Sequence, residues 1–128
     1  MTAAEAITAG RYVSLTTFRM DGTPVATPVW FALDDTRLVV QTPAGTGKLK
    51  RLRRDPRVLV APCDLRGRVP AGAPEAHGRA EIVADGTESA RLQGLLRRRY
   101  GVVYAVASRL IRPRGGAPAD VLLRITLD

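Results

Sequence analysis

From Tyr12 to Phe18 the chain reads YVSLTTF, with Val13, Leu15 and Thr17 alternating against Tyr12, Ser14 and Thr16. A period of two in a run rich in β-branched residues predicts a strand. Asp21-Gly22, just beyond it, is a hairpin signal. A second strand is expected over Val25 to Leu33. It contains Pro28, which cannot donate to a ladder and so belongs at an edge, a bulge or a place where the sheet opens. Asp34-Asp35-Thr36 turns the chain into a third strand, Arg37 to Thr42. Three sequential strands on short turns predict an antiparallel meander.

The segment PAGTG, 43–47, breaks the alternation, and Lys48 to Arg54 then reads as a short helix with Thr46 as N-cap and Asp55-Pro56 as its stop. At 100° per residue Leu49 and Leu52 share one face, and Lys50, Arg51 and Arg54 point the other way. Arg57 to Cys63 is a fourth strand, Asp64 to Pro74 a loop without periodicity, and Glu75 to Val83 a fifth strand. Asp85 and Glu88 bracket a helix start in capping-box style, which places a helix over Thr87 to Tyr100 with Leu92, Leu95 and Leu96 inward and Gly101 as its C-cap. A second helical piece is expected over Val102 to Ile111 and a surface loop over 112–119. Val121, Leu123, Ile125 and Leu127 alternate in a sixth strand. The pattern as a whole predicts one mainly β domain, 1–128, built as a small antiparallel barrel or sandwich with one to three peripheral helices.

Charge narrows the choice of partner. The chain carries 20 basic against 12 acidic side chains, a net charge of +8 and a pI near 11.0, which implies an anionic partner. Aromatic residues make up only 5% of the chain and do not interleave with the basic run, which speaks against a base-stacking platform for single-stranded nucleic acid; no nucleic-acid partner is expected, and a basic nucleic-acid binder or a non-catalytic cofactor carrier is an alternative. No run of 18 apolar residues exists, and Met1 to Gly10 lacks the make-up of a secretory signal. A cytoplasmic protein without a membrane span is therefore expected. One cysteine, Cys63, and one histidine, His77, are too few soft ligands for a zinc site.

Eighteen of the basic residues are arginine, and the two lysines, Lys48 and Lys50, lie in one short segment. Gly47-Lys48 resembles the end of a phosphate-binding P-loop. That pattern, however, needs glycine at position 42 and a hydroxyl at 49, where the chain has Thr42 and Leu49. The underlying physics survives the mismatch, because AGTGK sets flexible backbone amides at a helix N-terminus with an ammonium beside them. A phosphate site and a solvated basic helix face both fit this charge; the pairing of the lysines favours the site. Cys63 reads as a small buried hydrophobe, His77 as solvent-facing, and Arg97, Arg98 and Arg99 as a solvated fan. No nucleophile, base and acid stand together, so any hard chemistry must come from a bound cofactor.

The stretches SLTTFRMDGTPVATPVWFALDDTRLVVQT and GTGKLKRLRRDPRVLVAPCD resemble the pyridoxamine-phosphate-oxidase-like split β-barrel proteins, and among them the short coenzyme F420-dependent oxidoreductases. The resemblance runs from Arg11 to the last strand. It implies a six-stranded, FMN-binding-like split barrel, and a homodimer with cofactor grooves between subunits that hold FMN or the deazaflavin F420. It further implies that Lys48 contacts the cofactor phosphate near Gly47, with Thr42 on the same anion, and that Thr27, Pro28 and Val29 run along the ring system. Lys50, Arg51 and Arg54 would hold the acidic tail that F420 has and FMN lacks. The FMN oxidases' Arg-x-x-x-Leu-Lys pattern is absent from TPVATPVWF, which favours F420. The implied activity is hydride transfer to a small electrophile such as a quinone, an enone or a tetrapyrrole.

Overall fold

The computed structural model describes residues 2–110 and 120–128, those of 104–110 as backbone only. Helix α1 (Ala3–Ile7) precedes seven strands, β1 (Tyr12–Phe18), β2 (Pro24–Trp30), β3 (Ala32–Asp34), β4 (Arg37–Thr42), β5 (Arg57–Cys63), β6 (Ala76–Val83) and β7 (Val121–Leu127). Helix α2 (Gly47–Arg54) lies between β4 and β5, and α3 (Gly86–Leu110) between β6 and β7. All pairings are antiparallel, and the strands lie in the order β2-β1-β5-β6-β7-β4-β3.

This order corrects the expected meander. The hairpins β1-β2 and β3-β4 form as the turns predict, but the run read as one strand from Val25 to Leu33 splits at Phe31, and its halves lie at opposite edges of the sheet. Six expected strands thereby become seven. A single residue, Phe31, joins the two edges, so the sheet must curl back on itself. β2 and β4 approach each other without a ladder between them, which leaves a seam. Pro28 lies in β2, an edge strand, as its missing N–H requires.

Residues that pair across strands share a face. Val13, Leu15 and Thr17 of β1 pair with Val29, Thr27 and Val25 of β2 on the inward side. The interior is filled by Val13, Leu15, Val29, Phe31, Leu38, Val40, Val58, Val60, Leu123 and Ile125. Leu49 and Leu52 of α2 and Ile7 of α1 belong to the same cluster. Ile7, in a helix the alternation does not announce, is fully buried. Burying a side chain such as Leu49 contributes about 1.5–3 kcal/mol, enough to hold a helix of eight residues that would not persist alone.

A second cluster lies outside the sheet, where Leu92, Leu96 and Tyr100 of α3 cover Ala32, Val39, Val83 and Leu122. Asp85 caps α3, accepting from the Glu88 N–H at 2.8 Å. The reciprocal half of the capping box is absent, because the Glu88 carboxylate is bonded to Arg91 and Arg124. Gly101, with φ 52° and ψ −122°, breaks the helix where a C-cap was expected, and the helical piece beyond it continues to Leu110. Ile111 and the loop expected over 112–119 lie outside the described residues.

Candidate functional site

β4 ends at Thr42, four residues cross to Gly47, and α2 turns back over the end of the barrel. Thr46 sits at the N-cap with extended backbone but makes no side-chain capping bond. Its hydroxyl is buried, and with those of Thr27 and Thr42 it finds no partner among the described residues. Thr42 is 2% exposed. An unpaired buried hydroxyl costs about 1–3 kcal/mol, and three of them, on β2, at the end of β4 and at the α2 start, go unsatisfied among the described residues.

Lys48 is half-buried, and among the described residues no acidic group pairs with it. Burial holds its ammonium below the ordinary value of 10.5, and the charge of Arg51 pushes the same way. Two adjacent cations with no carboxylate between them are stabilised by an anion and by little else.

The nine residues singled out from sequence fall in four places. Thr42, Gly47, Lys48 and Arg51 lie in one continuous turn of chain around the α2 start. Thr27 and Val29 occupy the inward side of β2, the strand that approaches β4 across the seam. Pro28 points outward and meets the loop after β5, where a Cβ on Gly67 would lie 3.4 Å from its ring. Lys50 and Arg54 are exposed, but Arg54 donates to the carbonyl of Phe18 at 2.7 Å. Arg51 does not point away from the barrel with them. It is half-buried, and its Nε donates to Thr17 Oγ1 at 2.6 Å.

Thr17 is the residue that sequence reasoning missed. It is fully buried in the inward phase of β1, where every other position is apolar, and a hydroxyl in that phase is the signal that could have found it. Arg99 is a second correction, since its guanidinium does not belong to a solvated fan. It donates to the Gly10 carbonyl at 2.6 Å and lies 4.6 Å from the centre of the Phe31 ring. Cys63 is half-buried, and burial, then Asp64, pushes its thiol up. His77 is exposed. Among the described residues no group of three or more His, Cys, Asp or Glu could hold a metal, and no helix is long and apolar enough to cross a membrane.

A family described as pyridoxamine 5'-phosphate oxidase matches residues 2–127. The chain belongs to that family. No match is found among curated proteins. Among solved structures, an F420 reductase is 25% identical with a TM-score of 0.62, over 97% of this chain and 92% of the other. A conserved hypothetical protein from Mycobacterium tuberculosis is 25% identical with a TM-score of 0.69, over 97% and 77%. An FAD-binding protein from Mesorhizobium loti has the same fold at 22% identity and a TM-score of 0.65, over 98% and 87%. The mainly β architecture, a curled antiparallel sheet with three helices, is that of the pyridoxamine 5'-phosphate oxidase family.

Proposed function

We propose that the protein is an F420-dependent reductase that passes a hydride to a small electrophilic organic molecule. The observation that carries this reading is the uncompensated, half-buried Lys48 at the start of α2, among threonine hydroxyls without partners. The residues present fit a phosphorylated, ring-bearing cofactor. Lys48, Thr42 and the amides at Gly47 would hold its phosphate, and the inward side of β2 at Thr27 and Val29 would border its rings. The exposed ammonium of Lys50, which has no partner among the described residues, supports a cofactor with an acidic tail. The bound cofactor would supply hydride transfer. The chain's own part is to bind, to orient and to neutralise charge, since none of the nine site residues is a carboxylate, histidine or cysteine.

Fluorescence titration of the purified protein with F420 and, separately, with FMN tests the reading. Tighter binding of F420 is expected, and a preference for FMN would replace the proposal with an FMN flavoprotein. We also place the protein in the cytoplasm and propose that it works as a homodimer. The exposed Met20, Leu65 and Val69 (83%, 68% and 44%) give a second copy apolar surface to cover. Light scattering should return twice the chain mass of 13.8 kDa.

A further inference from the structure

The position of Arg51 follows from three contacts around the α2 start. Its Nε is fixed by Thr17 Oγ1 at 2.6 Å, and Thr17 is itself fully buried in β1. Its NH1 lies 2.8 Å from where a Cβ on Gly47 would stand, so the guanidinium fills the space that a side chain at position 47 would occupy. Its charge acts on Lys48, lowering the ammonium's proton affinity. The guanidinium therefore lies folded over the first turn of α2 and beside Lys48, with Nε engaged and the NH1–NH2 edge unpaired among the described residues. A guanidinium anchored through Nε keeps a fork whose geometry matches a phosphate. The N-cap threonine beside it contributes a buried hydroxyl without a partner.

We infer that Arg51 is the second cationic ligand of the anion held at the α2 start, that Thr17 is the positioning residue that aims it, and that Gly47 is required because it leaves the guanidinium room. This moves Arg51 from the acidic tail of a cofactor to its phosphate. It rests on the reading of the α2 start as an anion site, but not on which cofactor carries the anion. Holding two like charges side by side in the absence of ligand is unfavourable, and the site should favour doubly over singly charged phosphates.

The probe is inorganic phosphate, titrated calorimetrically at a pH where the dianion predominates. Arg51→Gln keeps the stem and the helix propensity, and should weaken phosphate about ten- to hundredfold with an unchanged far-ultraviolet spectrum. Thr17→Val keeps the shape and loses the acceptor, and should weaken phosphate about threefold or more. The same change should do nothing further once Arg51 is Gln, while Thr17→Ser should retain binding. By NMR, Lys48 should titrate at higher pH in Arg51→Gln. A merely structural Thr17 would lower the melting temperature and leave phosphate affinity and the Lys48 titration where they were. The inference is overturned if the parent protein shows no saturable phosphate binding, if Arg51→Gln binds phosphate as the parent does, or if the Thr17→Val loss persists in full without Arg51. Arg51-dependent phosphate binding in a protein that takes neither F420 nor FMN would sink the proposed function and leave this inference standing. F420 binding that is indifferent to Arg51→Gln would do the reverse.

Discussion

The two ends of the sheet are finished differently. On the α3 side the polar groups are paired almost throughout. Asp34 takes two bonds from Arg91 (3.0 and 2.7 Å), and Glu88 takes bonds from Arg91 and Arg124. Arg124 also reaches Glu81, and of the described residues on this side only its Nε is left buried without a partner. The Tyr100 hydroxyl accepts from the Phe31 N–H at 3.1 Å and lies 2.7 and 2.8 Å from the carbonyls of Phe31 and Arg11. The Tyr100 ring stacks on Trp30 at 4.7 Å. At the α2 end, among the described residues, a lysine has no counter-charge and three hydroxyls have no partners. Folding gains from closing such groups off, and that they stay open at this end supports the proposal that it takes a ligand.

If the α3 side is scaffold, damage there should cost stability before it costs binding. Tyr100→Ala removes a 9%-exposed aromatic and frees the groups around Phe31. It should lower the unfolding free energy by about 3–5 kcal/mol, measured in urea.

Lys48→Ala should do the opposite. F420 binding should weaken by about 1.5–3 kcal/mol, ten- to hundredfold, with stability unchanged or raised because a desolvated charge has gone. The sign follows from the lowered folded pKa. Charged Lys48 opposes folding at neutral pH, and the unliganded protein should gain stability as pH rises from that lowered value towards 10.5. If Lys48→Ala unfolds the protein and leaves the affinity of the surviving fraction intact, the two ends have been assigned the wrong way round.

The α3 network should show an acid dependence of stability. Hydrogen bonds from Arg91 hold Asp34 and Glu88 below their ordinary values of 3.8 and 4.5. Their contribution is present above those values and lost as pH falls through the depressed ones. Asp34→Asn should flatten stability below about pH 4.5 without touching cofactor affinity, as thermal melts across pH would record. The smallest effect belongs to Lys50→Ala, whose exposed ammonium should change F420 affinity by less than about fivefold and by less still in high salt.

The α2 end was the more legible in composition, and the α3 side in pattern. The clustering of Lys48 and Lys50 marked the first. Alternation located β1 and β7, and the preceding turns located β4 and β5, with the boundaries the structure has. Strand order was not legible. Nothing local distinguishes a strand that continues through Phe31 from two strands on opposite edges, because the difference lies in what β5 and β7 pair with far along the chain. Arg51 and Arg99 were misread for a related reason. Helical spacing tells which way a side chain leaves the helix, whereas their guanidinium groups bend back to Thr17 and Gly10, partners that spacing cannot see.

β7 lies between β6 and β4 although it comes last of the described strands. A chain emerging from the ribosome therefore presents β2-β1-β5-β6 and the β3-β4 hairpin as two separate pieces, each with a bare edge, until residues 121–127 arrive to bridge them. Closure of the sheet waits on β7. Loss or delayed delivery of those seven residues would leave two complementary unpaired edges on every nascent chain, a geometry that invites pairing between neighbouring chains on one message.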